Sequence, residues 1–396
     1  MRIFHLTAKP PYPIIDGGCF ASARLMEDLS QLDYELIHVT LHTKKHPFNK
    51  AAYPEKYNNI YAFHTDTSIS ISGALSSMLK GSSYNIERFR NDQFQEFLLE
   101  EVRDDDIIVI DGLYATVFLN NKWIKETKII LRSHNVEYKI WEDLSQNNSS
   151  ANSFGIKSKK KKGNWLKERY LKYLSGKLKD YESAIVKHVD QIWTLSDDDL
   201  TVLDKLGAKF AITIPVSIPS DQQEHDYSYN SVYHLGSVNW IPNQESITIL
   251  IDIWKNDLAH EGPELHLIGN GIQQQHVKNI IVHGFVDDLD KEINKQGILV
   301  APIISGSGIR IKILEALARG IPVITTKKGA QGIESDDSLI LAADRNEFVK
   351  EIKRLSENEQ LRKSIGEAGR SHIRSKHDPE YVKTIITTSL ERLKTN

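Results

Sequence analysis

The sequence has few of the features that mark disulfide-stapled, membrane-spanning or nucleic-acid-binding proteins. Its 396 residues contain one cysteine, Cys19, which excludes an internal disulfide framework and fits a reducing compartment. No apolar run approaches the roughly 18–20 residues that a membrane-spanning helix needs. The formal net charge of -3 gives no reason to expect nucleic acid as a partner. We therefore expect a soluble, cytoplasmic protein that does not bind nucleic acid.

Short β-branched runs alternate with longer amphipathic segments along the whole chain. This alternation predicts an α/β protein with parallel sheets whose two faces are covered by helices. No repeat of fixed period occurs, which excludes solenoids and propellers. The predicted strands are Arg2–Leu6, Glu35–Thr40, Ile107–Ile110, Lys128–Leu131, Gln191–Leu195, Val232–Leu235, Leu265–Ile268, Asn279–Val282, Ile298–Pro302 and Pro322–Thr325. The predicted helices include Phe20–Gln31, Trp165–Val189, Ile309–Arg319 and Pro379–Leu393.

Chain length and one polar interruption together predict two domains. A chain of 396 residues exceeds the size at which a single core keeps growing. The segment Ile214–Ser231 carries two prolines and no apolar periodicity, as linkers do. We predict two Rossmann-like domains facing a central cleft, which is the expected ligand site. The predicted boundaries are 1–215 for the first domain, 216–230 for the linker, 231–375 for the second domain and 376–396 for a C-terminal helix that crosses back to the first.

The stretch SGSGIRIKILEALARGIPVIT, Ser305–Thr325, places two cations where a helix is predicted to begin. Helix N-termini favour anions, so Arg310 and Lys312 are unfavourable there unless something negative lies beside them. Gly306 and Gly308 in the preceding turn would let backbone N–H groups approach a phosphate. The pattern therefore favours an anion-binding turn between a strand and a helix.

The same predicted helix also carries a carboxylate on the face of one of its cations. Lys312 and Glu315 are three residues apart, so they share a helix face. A nucleoside diphosphate would satisfy both, with its phosphates on the cations and its ribose hydroxyls on the carboxylate. The alternative is an ordinary helix in which Lys312 pairs with Glu315 and the remaining cation is solvated. Gly320 lies where a glycine commonly ends a helix.

Several segments, in the right order along the chain, resemble the retaining glycosyltransferases of family four (glycosyl transferases group 1), which have the GT-B fold. Motifs that agree in order are more specific than any one of them. The segments are PIISGSGIRIKILEALARGIPVIT (Pro302–Thr325), GSVNWIPNQESI (Gly236–Ile247), LHLIGNG (Leu265–Gly271), VHGFVDDL (Val282–Leu289), LRSHNVEY (Leu131–Tyr138) and IWTLSDDD (Ile192–Asp199).

The resemblance implies roles for individual residues: the first domain binds the acceptor and also contributes contacts to the donor, and the second domain binds the nucleotide of the donor. It implies that Arg310 and Lys312 stabilise the diphosphate leaving group and that His134 hydrogen-bonds to the donor sugar. Asp16 and Glu137 are expected acceptor contacts. Neither a metal nor another cofactor is expected, because side-chain cations and a helix end stabilise the leaving group. The implied donor contacts are Gly17, Gly18, Gly236, Asn239, Gly269, Phe285, Gly306, Ser307, Gly308, Ile309 and Glu315.

The sequence departs from the family pattern in two places. Many members carry a second glutamate, in contact with the donor sugar, at the position of Ser307. Many also carry an arginine and a lysine in the loop that is Val238–Gln244 here, which contains no cation. We infer that Arg310 and Lys312 take over the leaving-group role. Which residue replaces the carboxylate at Ser307 stays open.

These features predict a retaining glycosyltransferase that moves a hexose-type sugar from a nucleoside diphosphate sugar to an acceptor hydroxyl. The acceptor would be a glycan, or a lipid-linked or protein-linked molecule, in bacterial glycan or glycoconjugate assembly. Two alternatives stay open: a nucleotide-sugar epimerase of the same fold, and a non-catalytic protein that binds nucleotide sugars. The nucleotide base, the donor sugar, the linkage and the oligomeric state do not follow from the sequence.

The basic segment Lys157–Lys179 has two interpretations. The first is a solvated loop and helix face. The second is a peripheral contact with anionic lipid at the inner face of the membrane. The sequence leaves both open, and it does not favour nucleic acid, because no recognisable nucleic-acid-binding motif accompanies the basic residues.

Overall fold

The chain forms two compact units in a computed structural model that describes residues 1–68, 70, 73, 77, 82–119, 127–145, 154, 165–219, 225–259, 261–275, 277–334 and 337–395. The first unit consists of Met1–Ser145, Trp165–Ser217 and Pro379–Asn396, and the second of Gln146–Asn164 and Ile218–Asp378. Within these described ranges, no helix has an apolar stretch long enough to cross a membrane.

The first unit is built on a parallel seven-stranded sheet with the order β3-β2-β1-β4-β5-β6-β7. Its strands are β1 (Arg2–Thr7), β2 (Glu35–His42), β3 (Ile60–His64), β4 (Ile107–Asp111), β5 (Lys128–Ser133), β6 (Gln191–Thr194) and β7 (Ala211–Thr213). Its helices before the linker are α1 (Gly17–Ser30), α2 (Tyr84–Glu87), α3 (Asp92–Glu101), α4 (Glu137–Ser145), α5 (Trp165–His188) and α6 (Asp197–Lys205), with short 3-10 helices at Lys50–Ala52 and Leu113–Phe118.

The second unit is built on a parallel six-stranded sheet with the order β10-β9-β8-β11-β12-β13. Its strands are β8 (Val232–Leu235), β9 (Leu265–Ile268), β10 (Ile280–Gly284), β11 (Ile298–Ala301), β12 (Val323–Thr325) and β13 (Ile340–Leu341). Its helices are α7 (Ile241–Asn256), α8 (Leu289–Ile293), α9 (Ile311–Arg319), α10 (Arg345–Ser356) and α11 (Glu359–Lys376). Parallel sheets with intervening helices in both units confirm the predicted α/β class with two Rossmann-like folds.

The last helix, α12 (Pro379–Thr395), belongs to the first unit although it follows the second in sequence. Val382 and Ile386 pack into the same core cluster as Ile107 and Val109 of β4. The alternate residues of β4, including Ile108, point to the other face and join a separate cluster. Because both faces of this central strand are buried, it is a continuous apolar run, and each buried aliphatic side chain stabilises the unit by roughly 1.5–3 kcal/mol.

All ten predicted strands exist, with ends within two residues of the prediction, whereas three short strands were missed. The missed strands are Ile60–His64, Ala211–Thr213 and Ile340–Leu341. Two of them have only three and two residues, too few to establish a pattern, and β3 is a sheet edge without a buried apolar run. The second unit begins at Ile218, inside the segment predicted as a linker, of which residues 220–224 lie outside the described residues.

Candidate functional site

The predicted donor residues of the second unit lie at one edge of its sheet. Gly236 follows β8, Gly269 follows β9, and Phe285 follows β10, while the turn 302–310 follows β11. These four strands are neighbours and parallel, so all these segments emerge at the carboxyl edge of the sheet. Ligands of open α/β sheets bind at this edge.

The turn before α9 depends on two glycines. Gly306 and Gly308 both have φ of 84°, the left-handed region that other residues rarely adopt. A Cβ added to Gly306 would also lie 3.2 Å from Cγ of Pro242. The helix begins at Ile311, two residues after the predicted start, and its N-cap is Arg310. An arginine side chain has no acceptor for the N–H groups of the first turn, so this helix end has no side-chain cap.

Lys312 is a half-buried cation with neutral partners. Its Nζ donates to the carbonyl oxygen of Leu235 at 2.6 Å and to Oδ1 of Asn243 at 3.0 Å. Within the described part of the chain, no carboxylate pairs with it. Burial lowers the pKa of Lys312 to about 7, and the nearby Arg310 guanidinium acts in the same direction. An anionic ligand beside this ammonium would raise the pKa of Lys312 and keep the side chain protonated.

Glu315 does not form the pair with Lys312 that the sequence offered as an alternative. Its Oε1 lies 4.0 Å from Nη1 of Arg319, one turn further along α9, and Arg319 also binds Asp290. Burial raises the pKa of Glu315, although the Arg319 guanidinium opposes the shift. The side chain keeps 22% exposure, so it can accept hydrogen bonds from a ligand.

Arg310 braces the turn in which it was predicted to act on the leaving group. Its Nη1 donates to the carbonyl oxygen of Ser307 at 2.8 Å, and its Nη2 donates to that of Ser305 at 3.2 Å. Ser307 and Ile309 are buried within the same turn. The arginine thus holds the two glycines in their left-handed conformation. Lys312, in contrast, is bound by neutral groups of β8 and α7.

The glycine loops after β8 and β9 touch each other. Gly269 has φ of 147°, and a Cβ added to it would lie 2.2 Å from the carbonyl oxygen of Gly236. A Cβ added to Gly236 would lie 2.6 Å from Cγ of Asn243, the residue that accepts from Lys312. Asn239 is exposed, and Phe285 is 72% exposed. The glycines therefore allow the two loops and the start of α7 to meet beside Lys312.

A cavity of about 320 Å³ opens in the second unit next to the loops after β8 and β9 and the start of α7. None of the predicted donor residues lines it, and its walls are formed by uncharged polar and apolar residues. Its walls offer no charged group to hold a phosphate, so we assign the candidate site to the surface around Lys312. The lining residues are Val238, Gln244, Ile247, Thr248, Ile251, Gly271, Ile272, Gln273 and Gln275.

In the first unit, the predicted loop after β1 is shorter than expected. The sequence placed Gly17 and Gly18 in a loop before a helix from Phe20, but α1 begins at Gly17. The reason is Asp16, whose Oδ1 accepts from the N–H of Cys19 at 2.8 Å and caps the helix. Gly18 makes room for an ion pair, because an added Cβ would lie 2.8 Å from Nζ of Lys9.

Three side chains near this loop are close enough to hold a metal ion. Ligand atoms of Asp16, Cys19 and His46 lie within 4.8 Å of one another, and no other such group occurs among the residues that the structure describes. Lys9, however, donates to both oxygens of Asp16 at 2.6 and 2.8 Å. Burial also raises the pKa of Cys19 to about 11, which keeps the thiol protonated. Both effects oppose cation binding.

His134 is held by a buried carboxylate that sequence reasoning missed. Its Nε2 lies 2.5 Å from Oδ1 of Asp111, which also accepts from Nη1 of Arg132 at 3.1 Å. The second oxygen of Asp111 lies 3.3 Å from Nε2 of His5. Burial opposes ionisation, but His134 and Arg132 hold the pKa of Asp111 well below its usual range. The carboxylate orients the imidazole, as in many catalytic histidine pairs.

These residues also lie at the carboxyl edge of their sheet. Asp111 ends β4, His134 follows β5, and β1, β4 and β5 are neighbours in the sheet. A polar residue directly after the apolar run Ile107–Ile110 was a signal that could have identified Asp111. The sequence, however, does not show which side chain the carboxylate meets.

Glu137, an expected acceptor contact, is engaged within the protein. Its Oε2 accepts from the hydroxyl of Tyr114 at 2.9 Å. Glu182 of α5 accepts from the N–H of Glu137 and from that of Tyr138, both at 3.1 Å, and so caps α4. Glu182 is 1% exposed, and burial together with the neighbouring Glu137 raises the pKa of Glu182 to about 8.

This buried acid predicts a pH-dependent stability of the first unit. Between pH 5 and 8 the folded chain keeps a proton on Glu182 that the unfolded chain releases, so stability should fall as pH rises. The side chain of the Glu182→Gln variant cannot ionise. The difference in the free energy of unfolding between pH 5 and pH 8 should therefore be smaller by roughly 3 kcal/mol in this variant than in the wild type. Urea unfolding at pH 5, 6.5 and 8 measures this. Glu142→Gln, at an exposed position of α4, is the control, and a wild-type slope in Glu182→Gln would disprove the account.

Part of the predicted membrane contact cannot be compared with the structure. Residues 157–164 lie outside the described residues. In α5, Arg169, Lys172 and Lys179 are exposed, with Asp180 among them. The membrane interpretation therefore stays a prediction.

Part of the chain matches the model of a known protein family. Residues 230–358 match the family model described as glycosyl transferases group 1. An uncharacterised 44.6 kDa protein in the cps region of Klebsiella pneumoniae is 22% identical over 96% of this chain and 97% of its own length. The matched family segment contains all the predicted donor residues of the second unit.

Solved structures share the fold of the whole chain. Sucrose-phosphate synthase from Thermosynechococcus elongatus has a TM-score of 0.71 at 13% identity, with 100% of each chain covered. HepE of Anabaena, in complex with UDP, has a TM-score of 0.65 at 14% identity, with 99% of this chain and 100% of that chain covered. TarM of S. aureus, in a complex that includes UDP, has a TM-score of 0.63 at 12% identity, with 97% and 99% covered. The predicted resemblance is confirmed: the chain has the GT-B fold, and its residues 230–358 match the glycosyl transferases group 1 model.

Proposed function

We propose that this protein is a retaining glycosyltransferase that transfers a sugar from a nucleoside diphosphate sugar to an acceptor hydroxyl. The observation that carries the proposal is Lys312, whose ammonium lies near an uncapped helix end with only neutral partners. A bound anion would stabilise the charged form of this buried ammonium. A diphosphate supplies that anion, and Glu315 on the same helix offers an acceptor for ribose hydroxyls.

The relatives support this choice of ligand. The structures of HepE and TarM were solved with UDP, and HepE also with UDP-glucose. The relative in the cps region of Klebsiella pneumoniae favours a role in bacterial glycan assembly. We therefore place the nucleoside diphosphate of the donor at Gly306, Gly308 and Lys312, with the base beside Phe285.

The chemistry of the step follows from charge development. The bond between the anomeric carbon and the phosphate oxygen breaks, which leaves an oxocarbenium-like sugar and a more negative nucleoside diphosphate. Lys312 and the N–H groups of the first turn of α9 stabilise that charge and lower the barrier. These groups supply the positive charge from the protein itself, so we propose that transfer needs no metal and that EDTA leaves its rate unchanged.

Retention of configuration fits attack on the face from which the leaving group departs. The acceptor oxygen bonds to the anomeric carbon while its proton passes to the leaving phosphate oxygen, so the products are a glycoside and a nucleoside diphosphate. We propose that His134 contributes a hydrogen bond to the donor sugar, with Asp111 fixing its ring. No separate catalytic base is then required.

A ligand screen tests the proposed donor class. UDP-, GDP-, ADP- and dTDP-sugars are added to the protein, and unfolding of the second unit is followed by thermal shift. A ligand at 100 times its Kd should stabilise by about 2.7 kcal/mol, which corresponds to a rise in Tm of roughly 5 °C or more. Glucose 1-phosphate, which lacks a nucleoside, is the control, and it should raise Tm less than the true donor does.

Product analysis with the stabilising donor then separates the alternatives. Transfer to an acceptor hydroxyl with release of nucleoside diphosphate supports the proposal. An isomerised donor formed without acceptor would show an epimerase instead. If none of the four nucleotide classes shifts the unfolding of the second unit, the proposed donor site is wrong.

A further inference from the structure

The start of α7 forms one wall of the donor turn. Ser246 Oγ donates to the carbonyl oxygen of Pro302 at 3.1 Å. Pro242 lies so close to Gly306 that a Cβ there would be 3.2 Å from its ring. Asn243, in the same helical turn, accepts from Lys312. The donor turn and the first two turns of α7 are therefore a single packed structure.

Glu245 brings a carboxylate to this wall. The hydroxyl of Ser305 donates to its Oε2 at 2.5 Å. Its Oε1 makes no hydrogen bond or ion pair with the residues that the structure describes, and it is not enclosed by protein. Burial raises the pKa of Glu245, while the hydrogen bond from Ser305 favours the ionised form. A half-buried carboxylate with one oriented and one open oxygen is suited to accept a hydrogen bond from a ligand.

The position that would supply a carboxylate in the family pattern cannot do so here. Ser307 is a small, buried residue, and its carbonyl oxygen is bound by Arg310. Glu245 reaches the same turn from the neighbouring helix, two residues away at Ser305. A carboxylate is thus present beside the turn, but it comes from a different element of the second unit.

We propose that Glu245 accepts a hydrogen bond from a hydroxyl group of the donor sugar and replaces the carboxylate that is missing at Ser307. Ser305 acts as a positioning residue that fixes one carboxylate oxygen and leaves the other for the sugar. The inference rests on the proposed function, since it needs a nucleoside diphosphate sugar at this site. It makes Glu245 a residue that determines sugar specificity, because a site that hydrogen-bonds a hydroxyl strongly rejects analogues that lack it.

Two ligands separate this role from a purely structural one. For Glu245→Gln, affinity for the nucleoside diphosphate without sugar should stay within about twofold of the wild type. Its kcat/KM for the nucleoside diphosphate sugar should fall roughly 10- to 100-fold, as expected for a hydrogen bond to a charged acceptor. Ser305→Ala keeps the carboxylate of Glu245, so its kcat/KM should fall less than that of Glu245→Gln. Glu367→Gln, at an exposed position of α11, is the matched control.

Monodeoxy donors identify the contact directly. With the wild type, the donor that lacks the contacted hydroxyl should lose the same factor in kcat/KM as Glu245→Gln loses with the full donor. In Glu245→Gln this deoxy donor should show no further loss, because the two changes remove one interaction. Thermal unfolding of each variant checks that the second unit is folded, and Glu245→Asp serves if the glutamine variant does not fold.

The outcomes distinguish failure of this inference from failure of the proposed function. Equal loss of nucleoside diphosphate and nucleoside diphosphate sugar binding in Glu245→Gln would show a structural role and overturn the inference alone. The inference alone would also be overturned if every deoxy donor lowered kcat/KM by the same factor in Glu245→Gln as in the wild type. A wild-type protein that binds no nucleoside diphosphate would overturn the proposed function and this inference with it.

Discussion

Replacing Lys312 with alanine is expected to lower kcat for sugar transfer by roughly 100- to 1,000-fold, because the leaving diphosphate loses its preorganised cation. The ammonium is held in place by Leu235 and Asn243, so it needs no rearrangement when charge develops. Steady-state kinetics with the donor identified by the screen measures the effect. Lys363→Ala, on an exposed part of α11, should behave as the wild type.

A second variant separates loss of charge from loss of packing at this position. Lys312→Met keeps most of the side-chain volume and should be as inactive as the alanine variant. Since burial of this ammonium lowers its pKa to about 7, the charged form is disfavoured in the free protein. Removing the charge should therefore leave Tm of the second unit unchanged or higher. Full activity in Lys312→Met would refute the role assigned to the cation.

Asp111→Asn is expected to destabilise the first unit by about 3 kcal/mol, because it leaves Arg132 buried without its counter-charge. Arg132 is 2% exposed and Asp111 is 4% exposed. The variant should also transfer sugar more slowly, since the carboxylate orients His134. Urea unfolding followed by hydrogen exchange of β4 and β5 measures the stability of this unit apart from that of the second.

A matched control lies at the other end of the same strand. Asp106 precedes β4, is 1% exposed and pairs with Arg2 at 2.6 Å. Asp106→Asn should also destabilise the first unit, but the folded protein should transfer sugar at the wild-type rate. An Asp111→Asn variant that is as stable and as active as the wild type would contradict the role given to the buried network.

The fold was predictable from the sequence because its main signals are local. Most of the predicted strands in both sheets are buried apolar runs, and such runs identify strands without knowledge of their neighbours. Gly320 was predicted to end α9, and it does so in the left-handed conformation. The start of α1 was wrong by three residues because the cap formed by Asp16 outweighs the weak helix propensity of Gly17 and Gly18.

The site was predictable only where a motif lies in one segment. Lys312 and Glu315 share a turn of α9, and the sequence pattern identified both. The partners of Lys312 come from β8 and α7, 77 and 69 residues earlier, so no local pattern points to Asn243. Glu245 was missed for the same reason, since its hydrogen bond with Ser305 depends on how α7 packs against the turn. Asp111 left a signal, but its pairing with His134 required the strand order of the sheet.

Calorimetric titration with UDP, GDP, ADP and dTDP tests most directly whether a diphosphate completes the helix end at Lys312. One of them should bind the wild type, and Lys312→Ala should bind it at least about 10-fold more weakly. The pKa of Lys312 is about 7 in the free protein, and a bound diphosphate would raise it, so binding takes up a proton. Wild-type affinity should therefore fall about tenfold from pH 7.5 to 9, whereas that of Lys312→Ala should not. Equal affinity and equal pH dependence in the two proteins would contradict a diphosphate site at Lys312.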